Sequence, residues 1–279
     1  MQNSDYFDLG LPADLAMWTR TPLARRRLLR LGTAGIATLL AGCAPRGGSP
    51  PGPVSSVPTK TSADGACSEV PVETQGPYPA DGSNASNQTL NVLAKSGIVR
   101  ADLRTSLGTQ KVAAGIPTTV ELTLINVSSN CAPLAGYALY AWHCDRDGLY
   151  SMYSQGATDE DYCRGVQAAD ANGKVTFQTI FPACYAGRWP HIHFEVYPSL
   201  DKATGSANIV RTSQLALPED ICKDVYANAE GYSASTRNLS QLTLATDNIF
   251  SDGVSTQMAT VTGSIASGFV VKMNVGVAV

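Results

Sequence analysis

The chain has 279 residues, 44% apolar and 15% charged, with a formal net charge of −3, enough apolar material for a buried core. Residues 1–42 hold five of the 20 basic and three of the 23 acidic groups, leaving 15 basic and 20 acidic ones, a net of −5. An acidic body without clustered Lys and Arg excludes nucleic acid as a partner. An apolar run no longer than 31–42 excludes a multi-pass membrane protein, since a spanning helix needs about 20 apolar residues.

The first segment reads as an address. Arg25, Arg26 and Arg27 precede Leu28, Leu29 and Arg30, then the apolar stretch LGTAGIATLLAG and Cys43. Positive charge, a short apolar segment and small residues are the parts of an export signal. The arginine pattern resembles a twin-arginine signal, and Leu40-Ala41-Gly42-Cys43 resembles a lipoprotein lipobox. Residues 1–43 are therefore expected to be a signal ending at Cys43, with Cys43 lipidated and the protein exported, anchored to the cell envelope or extracellular. An ordinary cleaved signal is the alternative. Residues 44–66 follow as a tether, with Gly, Pro and Ser at twelve of the twenty positions 44–63. Such composition buries too little apolar area to offset ordering entropy. One domain is expected over 67–279.

That body reads as all-β. TTVELTLINV (118–127), YALYAWHC (137–144), GVQAA (165–169), KVTFQTIF (174–181), HIHFEVY (191–197) and SQLAL (213–217) are rich in β-branched and aromatic residues and separated by turn formers. Asp170-Ala171-Asn172-Gly173 predicts a hairpin between the third and fourth runs. One short helix is expected at 219–229, opening with Pro218, Glu219 and Asp220, and several strands from Gln241 onward. Many short strands at this spacing predict a β-sandwich with long loops.

Six cysteines remain in the body: Cys67, Cys131, Cys144, Cys163, Cys184 and Cys222. In an exported protein an even number suggests disulfides, and six allow fifteen full pairings. The spacing does not select among them; Cys163 with Cys184 would close the open end of the predicted hairpin. Buried free thiols are the alternative.

Two of the three histidines, His191 and His193, alternate on one strand. Their side chains share a face, with Cα atoms about 6.5–7 Å apart, while Ile192, Phe194 and Val196 face the other way. Two imidazoles so placed can reach one metal. Glu195 shares the face but lies about 13 Å from His191, too far to complete a compact site. Tyrosines are the candidate partners: Tyr185, six residues before His191, and Tyr150, after the turn at Asp147-Gly148. Two phenolates and two neutral imidazoles form a hard, anionic set suited to iron(III).

The stretch WHCDRDGLYS, then YCRGVQAADANGKVTFQTIFPACYAGRWPHIHFEV, resembles the iron-binding core of the intradiol ring-cleavage dioxygenases, the protocatechuate and catechol dioxygenase family. VETQGPYP (72–79), CAPLAGYALYAWHCD (131–145) and TSQLALP (212–218) extend the likeness over most of 67–220. The resemblance implies a β-sandwich holding non-haem iron(III) through Tyr150, Tyr185, His191 and His193. It further implies that Arg188 steadies negative charge on the substrate, that Gln214 stands beside the substrate and oxygen site, and that Pro77 and Tyr78 close over the pocket. The implied reaction joins O2 to a catechol and opens its ring between the two hydroxylated carbons, giving a muconate-type diacid without an organic cofactor. The chain departs from the family at Ala183 and Cys163, and its Tyr185-to-His191 loop is short. His143 is expected to be buried and hydrogen-bonded. A non-catalytic envelope-displayed binding module, and zinc or copper at the histidine pair, are the competing readings. Oligomer formation is left open.

Overall fold

The computed structural model describes residues 67–279, so the expected signal at 1–43, Cys43 and the tether at 44–66 lie outside the described residues. Nine strands form two sheets: β1 (Pro117–Asn126), β2 (Ala132–Pro133), β3 (Ala138–Trp142), β4 (Arg164–Ala168), β5 (Lys174–Ile180), β6 (His191–Tyr197), β7 (Arg211–Ala216), β8 (Thr260–Ser264) and β9 (Gly268–Val277). In the first sheet β9 runs parallel to β1 and carries β8 beyond it, while β5 and β2 pair antiparallel with β1. The second sheet is antiparallel throughout, in the order β4-β3-β6-β7.

Alternation builds the core. Val120, Leu122 and Leu124 of β1, with Phe269, Val271, Met273 and Val275 of β9, face Leu139 and Ala141 of β3 and Ile192, Phe194 and Val196 of β6 in one cluster. A buried aromatic such as Phe194 contributes about 3–5 kcal/mol relative to alanine. The outer face of the second sheet is covered as well. Tyr140, Trp142 and Tyr197 pack there against Val92, Leu93, Ile98, Tyr150, Tyr153 and Tyr185 from the long loops. Every residue of β6 is consequently buried.

The predicted strands before residue 218 all form. Four expectations are corrected. The segment Asp170–Gly173 turns as its chemistry predicts, with Asp170 Oδ1 accepting from the N–H groups of Asn172 (2.8 Å) and Lys174 (2.9 Å). It does not join a hairpin: β4 pairs with β3 in one sheet and β5 with β1 in the other. Ala169 still bonds to Tyr137, while the Gly173 carbonyl already accepts from Leu124, so the turn carries the chain across the sandwich. Gly173 sits at φ +76°, and a Cβ there would collide with the Leu124 carbonyl.

The Cys163–Cys184 pairing does not form. Both thiols are free and buried, as are Cys144 and Cys222, and the one disulfide among the described residues joins Cys67 to Cys131 with Cα atoms 5.7 Å apart. With no hairpin, nothing brings residues 163 and 184 to the ends of paired strands. The expected helix forms as α1 (Glu219–Asn228), but a second, α2 (Ser233–Leu239), follows it. Beyond Gln241 there are two strands, separated from α2 by irregular chain and a 3-10 turn at Phe250–Asp252. Among the described residues no helix is long and apolar enough to cross a membrane.

Before β1 the described residues form only isolated bridges, but these matter. Ile98 and Arg100 bond to Val166 on the edge of the second sheet, and Ala101 and Leu103 bond to Gln178 on the edge of the first. Residues 98–103 thus lace the two sheets together along one side.

The Cys67–Cys131 link closes a separation of 64 residues, and cross-links of that span stabilise by about 2–4 kcal/mol through the unfolded state. Cys131→Ser should lower unfolding free energy by that amount in urea titrations, and added reductant should then change the variant's midpoint far less than the wild type's.

Candidate metal centre

The strand period places Trp142, His193 and Gln214 side by side on the outer face, since they are directly paired across β3, β6 and β7. His191 Nε2 and His193 Nε2 stand 3.0 Å apart. The Tyr150 and Tyr185 hydroxyls each lie 3.4 Å from His191 Nε2. Two phenolic oxygens and two ring nitrogens from three separate segments therefore converge on one point.

Each donor is held from behind. His191 Nδ1 donates to the Trp189 carbonyl at 2.5 Å, which leaves Nε2 bare and aimed at the cluster. The His193 ring stacks on Trp142, centroids 4.8 Å apart and planes within 7°. Tyr150 follows a turn built on buried Asp145, whose Oδ1 accepts from the N–H groups of Asp147 and Leu149, both at 2.9 Å. Gly148 in that turn has φ +83°, and a Cβ there would come within 3.3 Å of Tyr185 Cβ, so glycine lets the two tyrosine segments touch.

The segment before Tyr185 is fastened by the helical pair. Tyr226 and Tyr232 donate to the carbonyls of Pro182 (2.9 Å) and Phe181 (2.7 Å). Ser235 Oγ accepts from the Cys184 N–H at 3.0 Å, and Asn238 Nδ2 donates to the Cys184 carbonyl at 2.8 Å. Sequence reasoning missed this role together with α2 itself.

Arg188 and Gln214 meet: Arg188 Nη2 donates to Gln214 Oε1 at 2.6 Å, and Gln214 Nε2 donates to the Thr74 carbonyl at 2.9 Å. Two residues that the sequence did not point to complete the arrangement. Asp247 accepts from Arg188 Nε at 3.0 Å with both side chains fully buried. Gln257 Nε2 donates to the Gln214 carbonyl at 3.0 Å. Breaking such a buried pair from one side costs about 3–5 kcal/mol. Burial alone would push the Asp247 carboxyl up; Arg188 and the N–H groups of Trp189, Phe250 and Ile249 hold it below the usual value. Tyr78 lies over the tyrosines, its ring centroid 4.8 Å from that of Tyr150 and 5.3 Å from that of Tyr153. Pro77 is buried, with its carbonyl accepting from Ser86 Oγ at 2.9 Å.

Glu195 does not join the centre. It is buried, accepts from the Tyr197 hydroxyl at 2.7 Å, and is driven well above its usual value by burial and then by Asp81. His143 is buried and spans the Cys144 carbonyl and Thr179 Oγ1, each at 2.7 Å, with burial lowering it to about 4.

The donor set fits a cation. Burial, together with the Arg188 charge, holds His191 well below the ordinary imidazole value; burial and then His191 do the same to His193. Both rings are neutral at pH 7 and offer lone pairs. Burial and neighbouring Tyr185 hold Tyr150 well above its usual phenol value, so only a strong positive charge would release its proton. Among the described residues no group of three or more His, Cys, Asp or Glu side chains could hold a metal. The remaining donors at the histidine pair are phenolic, which suits a hard trivalent ion better than zinc or copper(I).

No family model and no curated protein matches the sequence. Solved structures do. An intradiol ring-cleavage dioxygenase from Tetranychus urticae superposes with a TM-score of 0.58 at 22% identity, over 76% of this chain and 95% of that one. A second dioxygenase structure gives the same values. The chain has the fold of the intradiol ring-cleavage dioxygenases. At this identity the likeness concerns fold; the chemistry rests on the side chains above.

Glu73 borders the Gln214 network through Gln257 Nε2, 3.4 Å from its Oε1. Burial, and then the nearby Asp252 charge, raise it from 4.5 to about 7. An acid raised on folding adds stability below its unfolded value, and that contribution is lost as pH rises through the folded one. Glu73→Gln should therefore match the wild type in urea unfolding at pH 4 and exceed it at pH 8 by about 1–3 kcal/mol.

Proposed function

We propose that this protein is a non-haem iron(III) dioxygenase that takes a catechol-type substrate and O2 and cleaves the ring between the two hydroxylated carbons. Both oxygen atoms enter the product, a muconate-type diacid, so one catechol and one O2 together account for every atom of it and no external reductant is needed. The observation that carries the reading is the convergence of the Tyr150 and Tyr185 hydroxyls and His193 Nε2 at 3.0–3.4 Å from His191 Nε2.

Those four residues would hold the iron. Bound there, iron(III) would draw electron density from a catecholate and make its ring reactive toward dioxygen. The protein's own contributions are positional and electrostatic. The Trp189 carbonyl fixes the His191 tautomer, and the stack on Trp142 fixes the His193 plane. Tyr150 and Tyr185 supply two negative charges once ionised and can take back protons shed by the substrate hydroxyls. Arg188, buried and fixed, offers a cation to developing negative charge without reorganisation. Tyr78 and Pro77 provide an aromatic and apolar cover for a flat ring. Export through the 1–43 signal and anchoring at Cys43 would set this chemistry outside the cytoplasmic membrane.

The test is direct. Protein reconstituted with iron(III) should be red to purple from phenolate-to-iron charge transfer and should consume one O2 per catechol in an oxygen electrode. His191→Ala should lose iron, colour and turnover together. Colourless protein that takes up no oxygen with a catechol panel overturns the reading and favours a binding module on the same fold.

A further inference from the structure

Asp247 lies 56 residues beyond His191, past the segment in which the sequence motifs cluster, yet it touches both arms of the centre. Its Oδ2 accepts from Arg188 Nε at 3.0 Å and from the Trp189 N–H at 2.7 Å. The Trp189 carbonyl is the group that receives His191 Nδ1. Its Oδ1 accepts from the N–H groups of Ile249 (2.9 Å) and Phe250 (3.0 Å). That brings the Phe250 ring 5.9 Å from the Arg188 guanidinium carbon and 6.5 Å from the His191 ring. One carboxylate therefore fixes the arginine, the peptide that orients a histidine, and the aromatic packed against both.

We propose that Asp247 is a positioning residue for ring cleavage: it presents the Arg188 guanidinium to the substrate side in one orientation. The inference rests on the dioxygenase reading of the site. Arg188 Nε is occupied by Asp247 and Nη2 by Gln214, so the plane of the guanidinium is set from two sides. Without the carboxylate, the arginine keeps its charge but loses that direction. A cation that acts on charge developing during reaction then loses effect in kcat rather than in substrate affinity.

The experiment compares iron-loaded wild type, Asp247→Asn, Arg188→Gln and the double variant for iron content, charge-transfer spectrum and catechol kinetics. Asp247→Asn should keep iron and colour, because all four donors remain. Its kcat should fall about 10–100-fold, the usual loss on removing a partner that orients a site, while KM changes less than about threefold. In the Arg188→Gln background, adding Asp247→Asn should cost less than about twofold, since its effect passes through the arginine. Wild-type kcat in Asp247→Asn overturns the proposal, as does an equal loss in both backgrounds, the mark of a structural role. Should Asp247→Asn alone fail to fold, the double variant replaces a buried ion pair with two neutral amides and still decides: a further tenfold loss relative to Arg188→Gln overturns the proposal. Wild-type protein without colour or catechol turnover removes the dioxygenase reading and this proposal with it, an outcome distinct from an active wild type with an unaffected Asp247→Asn.

Discussion

A strand covered on both faces that nevertheless carries His191, His193 and Glu195 is the constraint around which this molecule is arranged. Polar side chains with no access to water must be neutral, hydrogen-bonded or matched by charge. The protein meets that demand differently at each position. His191 donates to a backbone carbonyl, one Glu195 oxygen accepts from a phenol, and the His193 ring stacks on Trp142. Among the described residues His193 Nδ1 has no hydrogen-bond partner, and two ring nitrogens stand face to face. Arg188, Asp247 and Gln214 are tied to one another and to the neighbouring backbone.

The loops matter as much as the sheets. A bare antiparallel sheet would leave the histidine face wet, and the phenols would have no reason to approach. Residues 78–93 and 145–163 roof that face, and the helical pair pins the 181–185 segment that delivers the second tyrosine. The roof makes the interior of low polarity, which strengthens every charge interaction within it.

The strands up to residue 217 were legible because alternation and β-branched runs are local signals, and the pairing of His191 with His193 followed from the two-residue period alone. Tyr150 and Tyr185 were suggested by chemistry and proximity in sequence, and were assigned through motif resemblance. The turn at Asp170–Gly173 was read correctly as a turn and wrongly as a hairpin: its residues specify the reversal, while the sheet that receives the outgoing strand is chosen by long-range packing. The same limit hid the Cys67–Cys131 link and Asp247. Neither has a neighbour in sequence that would mark its partner, and α2, with SASTRNL, lacks both an apolar stripe and a capping side chain.

The covalent link between Cys67 and Cys131 has a mechanical consequence. Tension arriving from the preceding chain enters at Cys67 and passes directly to the loop before β2, on the first sheet. Residues 68–115, which include the lid over the tyrosines and the lacing along the sandwich edge, fall inside the closed loop and are shielded from that pull. A protein tugged at its leading end would thus transmit strain to the sheet remote from the histidines and spare the cover of its own interior.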